Sequence, residues 1–402
     1  AAVRVQRAVA HLPALFVLPG ALRDRPTEVD TRPGYAECSA GADMSSALVL
    51  GKFYPPHMGH VGLIEAALKH RDRVVVLCAG SKGDSLSCES RLTALVEDAA
   101  AVGIDPTRLV GQTVYDEAPF DLDDPQVWQS HVEVFQASIA RLDPVDLVVT
   151  SEPYGEELAR RMGIEHAAFD PPRAMIPVSA TQIRANPVEF WNLLGPGTRR
   201  MLAVRIVIVG AESTGTTTIA ERLAITLRER GGCWSQVRLV TEYGRELTAR
   251  KQRAARNEEG IVPLSVPWDE DDFDEVARRQ TELEEEAAAS GGPVLVCDTD
   301  ALATTVWERR YLGASRARLD PSTLGRGYVY LVTHHEGVPF VQDGTRDGAH
   351  IREAMTQEFT ELLVEQQRPL AVLTGSLDDR LRLSLRITDQ AVEQRLAFKT
   401  PI

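Results

Sequence analysis

Two short stretches carry the clearest chemistry in this sequence. Residues 51–60 read GKFYPPHMGH. Gly51 permits close backbone approach to a ligand, and Pro55 and Pro56 stiffen the turn that also holds Lys52 and Phe53. His57 and His60 bracket a helix start, whose free amides and positive dipole end attract phosphate. Two histidines three apart also occur in metal sites, but those usually bring a carboxylate partner. A plain pair of helix-capping histidines is the bland alternative. Residues 210–217 read GAESTGTT after an apolar run. The phosphate-loop pattern GxxxxGK[ST] is met by Gly210, Gly215 and Thr217, with Ser213 and Thr214 inside the loop and Thr216 at the lysine position. The glycines still allow a nest of amides around phosphate. The positive charge at the β and γ phosphates is what Thr216 lacks.

Both turns need a strand to deliver the chain and a helix to carry it away. ALVLGK (47–52) is a short apolar run, and residues 60–70 have helical spacing. RVVVLCAG (73–80) and VDLVVTS (145–151) read as buried strands, 89–102 and 156–163 as helices, and 116–130 as irregular. The pattern resets at GPGTRR (195–200). A second series follows: strand 205–210, helix 217–230, strand 237–241, an acidic helix near 272–289, strand 293–298, a helix from 301, strand 328–333, a helix near 348–366, strand 369–374 and a closing helix at 389–398. Strands alternating with helices predict parallel sheets with crossover helices, and continuous apolar strands fit burial on both faces. The expectation is an α/β protein of two domains, 44–198 and 199–402. Residues 1–43 precede the first Met, show no periodicity and are expected to be an unpacked extension.

The formal charge is −14, from 44 Lys plus Arg and 58 Asp plus Glu. That balance argues against a general nucleic-acid coat, which relies on clustered cations. No apolar run approaches the ~18 residues that cross a bilayer. The 5 cysteines include no CxxC pair and suggest neither zinc nor a disulfide framework, which favours a reducing cytoplasm. The acidic run WDEDDFDE (268–275) reads as a solvated helix start rather than a metal site.

GKFYPPHMGH resembles the (H/T)xGH signature of the nucleotidyltransferase superfamily. Residues 170–184, DPPRAMIPVSATQIR, resemble that superfamily's second motif, SxTxxR, with Ser179, Thr181 and Arg184 in place. Asp170, Arg173 and the stretch SEPYGEELA, which holds Tyr154, look like the adenylyltransferase of the bifunctional NadR type. The resemblance covers residues 46 to about 190. It implies a Rossmann-like domain that joins nicotinamide mononucleotide to the AMP part of ATP, giving NAD and pyrophosphate. His57, His60 and Arg184 would hold the triphosphate together with Mg²⁺, and Lys52 is a further phosphate contact. Trp128 is a candidate to stack on nicotinamide, against a plain packing role.

The NadR type joins that domain to a P-loop ribosylnicotinamide kinase, and the surroundings of GAESTGTT are similar to it. TEYGRE (241–246) follows a strand, CDTD (297–300) ends the next, and VPFVQDGTRD (338–347) resembles the lid, with Arg346 and Arg352 as lid arginines. The resemblance implies that Thr217 and Asp298 hold Mg²⁺, that Asp300 lies within reach, that Glu242 or Asp298 is the base, and that Trp268 either stacks on nicotinamide or is an ordinary Trp. Arg245, Arg346, Arg352 and Arg380 are the candidates to replace the missing lysine. The alternative is a second domain that binds ATP or NAD as a sensor. Residues 1–43 contain no pair of helices like the helix-turn-helix some NadR-type proteins carry, so DNA binding is not expected. Proteins of this kind often assemble into homo-oligomers.

Overall fold

The computed structural model describes residues 45–118, 121, 123–256, 266–315, 327–341 and 349–399. The expectations for residues 1–43 and for Arg346 lie outside them. The chain forms two compact units, Leu202–Arg395 and one running up to Met201 that also takes in the tail from Leu396. In that tail the Phe398 ring meets Tyr54 edge-on at 5.6 Å.

The first unit is β1 (Ser46–Gly51), α1 (Met58–His70), β2 (Arg73–Gly80), α2 (Cys88–Ala101), β3 (Leu109–Tyr115), α3 (Pro125–Ile139), β4 (Val145–Thr150), α4 (Gly155–Met162), β5 (Glu165–Ala168), α5 (Ala180–Ala185) and α6 (Pro196–Leu202). Its five strands are parallel in the order β3-β2-β1-β4-β5. Alternate residues of β2 feed two cores, Val74, Val76 and Cys78 on one face and Val75, Leu77 and Ala79 on the other. This is why the strand reads as one apolar run. The chain leaves β1 in one direction along the sheet and later returns to β4 on its other side. Ligands bind at such a switch point, beyond the carboxyl ends of the strands.

The second unit is β6 (Val204–Gly210), α7 (Thr216–Arg228), β7 (Arg238–Val240), α8 (Tyr243–Ala254), α9 (Glu270–Ser290), β8 (Val294–Asp298), α10 (Thr304–Leu312), β9 (Tyr328–Thr333), α11 (Arg352–Glu365), β10 (Leu370–Leu373) and α12 (Leu377–Arg395). Its strands are also parallel, in the order β10-β9-β6-β8-β7. Asp269 caps α9 through a reciprocal bond with Asp272, so the acidic run is a helix start. No described helix is long and apolar enough to cross a membrane.

Two expectations are corrected. The stretch 116–130 is not irregular throughout, because Asp124 caps α3 and Pro125 opens it. The closing helix is far longer than 389–398. α12 begins at Leu377, just after Ser376 exchanges hydrogen bonds with Asp379.

Candidate functional site

In the first unit the turn after β1 is shaped by close contacts. A Cβ on Gly51 would stand 2.8 Å from the Phe53 ring, so that position takes no side chain. Phe53 itself adopts φ 44°, a left-handed conformation costly for a bulky residue. Its ring meets His60 edge-on at 5.0 Å.

His57 is the N-cap of α1. Its Nδ1 accepts the Gly59 N–H at 3.1 Å, and the Nδ1 of His60 accepts the His57 N–H at 3.2 Å. Burial lowers the His57 pKa to about 3 and holds that of His60 well below its usual range. Both rings are therefore neutral near pH 7. With Nδ1 accepting, the proton sits on Nε2, so each ring offers one N–H donor away from the cap. Among the described residues the buried Nε2 of His57 has no partner. The histidines thus cap the helix and also line a cleft of about 170 Å³.

Gly51, Lys52, Phe53, Tyr154, Asp170, Arg173 and Arg184 line the same cleft. Burial lowers the Lys52 pKa, against the pull of Asp84 and Asp116. Arg184 donates to the Tyr54 carbonyl at 2.7 Å and to the Thr181 hydroxyl at 3.0 Å. Ser179 caps α5 in a reciprocal pair with Gln182. Ser179 and Thr181 therefore act by holding Arg184 and its helix, outside the cleft wall. Asp170 accepts the N–H groups of Ala174 and Met175 and shapes its loop, while Arg173 spans from the Val178 carbonyl to Glu152.

Trp128 is not on this wall. It is 7% exposed, packed in the core with Leu77 and Leu158, and Arg161 lies over its ring. The helical spacing of α3 turns it inward. The sequence reading missed Thr150 and Glu152 at the end of β4, which the switch-point rule would have supplied. It also missed Arg91. This fully buried side chain donates to the Lys52 carbonyl at 2.6 Å and pairs with Asp84 at 3.0 Å. No local pattern announces that contact.

The second unit holds a cleft of about 690 Å³, lined by Gly210, Ser213, Gly215, Thr216, Thr217, Glu242, Trp268 and Asp298 among others. Gly215 has φ 91° and opens α7. The Thr217 hydroxyl donates to Asp298 at 2.6 Å, and Thr216 also hydrogen-bonds that carboxylate. Burial pushes the Asp298 pKa up while these donors pull it down. Glu242 is raised by burial and pairs with Arg245 at 2.7 Å.

Trp268 stacks near Tyr311 at 6.0 Å and contacts Phe273 at 5.1 Å, forming an aromatic wall beside Glu242. Tyr311 was not singled out from the sequence, because one Tyr on an amphipathic helix carries no signal. Thr214 is buried, bonded to the Ala211 carbonyl and the Thr333 hydroxyl, so it fastens the loop from beneath. Ser213 accepts the Val341 N–H at 2.8 Å. Asp300 is not in the cleft. It is fully buried, bonded to the Tyr330 hydroxyl at 2.5 Å and the Ala303 N–H at 2.8 Å. Between it and Asp298 the chain bends at Thr299, whose φ is 74°.

The family model described as AAA domain matches residues 205–380. The trifunctional NAD biosynthesis/regulator protein NadR of Escherichia coli (strain K12) is 26% identical over 340 residues, 79% of this chain and 75% of that protein. The nicotinamide-nucleotide adenylyltransferase of Caldivirga maquilingensis is 26% identical over 127 residues, 30% of this chain and 65% of that enzyme. A crystal structure of NadR protein in complex with NR has the same fold, with a TM-score of 0.60 at 21% identity, covering 89% of this chain and 99% of that one. The 340-residue match to the Escherichia coli protein is longer than either compact unit. The chain is similar to the NadR proteins across both of its α/β units.

Proposed function

We propose that the first unit joins nicotinamide mononucleotide to the adenylyl group of ATP and that the second phosphorylates nicotinamide riboside. His57 carries the first reading: its buried Nε2 has no partner among the described residues, and the residue lines a cleft that also holds Lys52 and Arg184. The mononucleotide's 5′-phosphate oxygen attacks the α-phosphorus. The bond to the β-phosphate oxygen breaks, and pyrophosphate leaves. Neutral His57 and His60 donate N–H groups to phosphate oxygens, and Lys52 and Arg184 offset their charge. Catalysis here is positioning and electrostatic stabilisation.

In the second unit the riboside ring packs at the Trp268 and Tyr311 wall. Glu242, held between burial and Arg245, takes the 5′-hydroxyl proton as that oxygen attacks the γ-phosphorus and ADP leaves. The Thr217 hydroxyl and the Asp298 carboxylate fit Mg²⁺, which takes few protein oxygens and completes its shell from water and phosphate. When bound it would neutralise triphosphate charge. The substrates of both reactions are small intracellular metabolites, which suits a cytoplasmic enzyme.

Thr216 favours a second reading, in which this unit binds nucleotide as a sensor without turnover. One incubation separates the two. The purified chain is given nicotinamide riboside, ATP and Mg²⁺, and ADP, the mononucleotide and NAD are resolved by chromatography. NAD together with ADP is the expected result. NAD only when the mononucleotide is added would leave the sensor reading for the second unit. No NAD under either condition would overturn the adenylyltransferase reading.

A further inference from the structure

We propose that Arg380, with Arg352 beside it, supplies from behind the phosphate loop the positive charge that Thr216 does not supply in front, and that Arg380 aims the Gly215 N–H at the phosphate. This rests on reading the second cleft as a site for nucleotide phosphates.

Arg380, in the first turn of α12, is 3% exposed. It donates to the Thr214 carbonyl at 3.1 Å, to Glu336 O at 3.2 Å and to Gly375 O at 3.0 Å. Arg352, at the start of α11, donates to Ser213 O and Val338 O, each at 3.0 Å. Every one of these partners is a backbone carbonyl. Among the described residues neither guanidinium has a carboxylate partner. Buried charge is stable only when something balances it, and the loop these two side chains grip is a site where an anion would do so.

The peptide geometry adds direction. In a planar trans peptide the C=O and the following N–H point opposite ways. Arg380 holds the Thr214 C=O behind the loop, so the Gly215 N–H points away from it. Gly215 lines the cleft, and its N–H has no partner among the described residues. A cation on the carbonyl polarises that peptide and strengthens its N–H as a donor. Arg245 also lines the cleft, but Glu242 is its ion-pair partner. Burial and the neighbouring guanidinium both lower the Arg380 pKa, yet an arginine remains charged.

The test uses the full chain labelled with ¹³C-carbonyl threonine and ¹⁵N-glycine. Only the Thr214–Gly215 and Thr374–Gly375 peptides then carry both labels. Inorganic tripolyphosphate is the probe. In the intact chain it is expected to move the Gly215 amide signal. Arg380→Met is expected to weaken that binding at least tenfold, and Arg352→Met to weaken it less. Thr216→Lys should recover most of the loss in the Arg380→Met background but tighten the otherwise intact chain less than threefold. A general loss of packing at Arg380 would not be rescued by a lysine across the loop.

An unmoved Gly215 signal in the intact chain would overturn the proposal. So would unchanged binding in Arg380→Met, or a tenfold gain from Thr216→Lys alone. A Gly215 response in a chain that releases no ADP from nicotinamide riboside would instead overturn the kinase reading and leave this inference standing.

Discussion

In the first unit the cations stand in front of the phosphate turn, with Lys52 and Arg184 lining the cleft. In the second, Arg352 and Arg380 grip the loop from behind. Both turns have a buried arginine on a loop carbonyl, since Arg91 holds that of Lys52 at 2.6 Å. The difference lies in the counter-charge. Arg91 is paired with Asp84, whereas Arg352 and Arg380 meet backbone carbonyls. A neutralised arginine fixes geometry and leaves the electrostatic work to residues in front. An arginine without a carboxylate partner can fix geometry and also supply field. The same contact therefore has different consequences in the two halves, and each consequence can be tested.

The largest expected effect is on stability. Arg91→Leu leaves Asp84 buried without its partner and should destabilise the first unit by about 3–5 kcal/mol. Arg91→Leu with Asp84→Leu should recover much of that loss, because both charges are gone. Urea titrations of the single and double variants measure this. If the double variant is no more stable than the single, Arg91 is not a neutralised strut.

Next come the groups in front. Arg184→Gln removes a fixed charge from the first cleft and should lower NAD formation by ~10²–10³, as for loss of one transition-state donor. Phosphorylation of nicotinamide riboside should not change. Asp298→Asn should do the reverse, lowering ADP release by a similar factor while NAD formation from the mononucleotide continues. Two activities that fell together in either variant would mean that the halves do not work as separate sites.

Much of this was legible in the sequence, and the failures have a common cause. Strand β2 and the β9 run 328–333 were read to the residue because apolar strands buried on both faces are continuous. The two turns were legible because glycine, proline and histidine at fixed spacing leave few other roles. Trp128 and Asp300 were misplaced because a motif fixes position along the chain, while the direction of a side chain depends on the helix or turn beneath it. Trp128 faces the core from α3, and Asp300 turns to Tyr330. Arg91, Arg352 and Arg380 act on carbonyls 39, 139 and 166 residues away in sequence. Contacts of that separation are set by topology, which no local pattern encodes.

The smallest effect concerns the neutral histidines. The His57 pKa falls from 6.5 in the unfolded chain to about 3 in the folded one, chiefly through burial. Below pH 6.5 the unfolded state binds a proton that the folded state does not. Stability from this group is thus complete above pH 6.5 and is lost as pH falls toward 3. Linkage puts the loss between pH 7 and pH 5 at about 2 kcal/mol, and His60 is shifted in the same direction. Asn is also a good N-cap, so His57→Asn keeps the cap and removes the titration. The variant should show an acid slope shallower by about that amount in urea titrations of the first unit. The rate carries the matching test. Neutral Nε2–H donors predict that NAD formation by the intact chain does not rise as pH falls from 7 to 5.5, where only the substrate phosphates, with a second pKa of about 6, gain protons. A rate that rose as pH fell through 6.5 would mean that the turn uses imidazolium charge, and both histidines would then join the cations in front of the first turn.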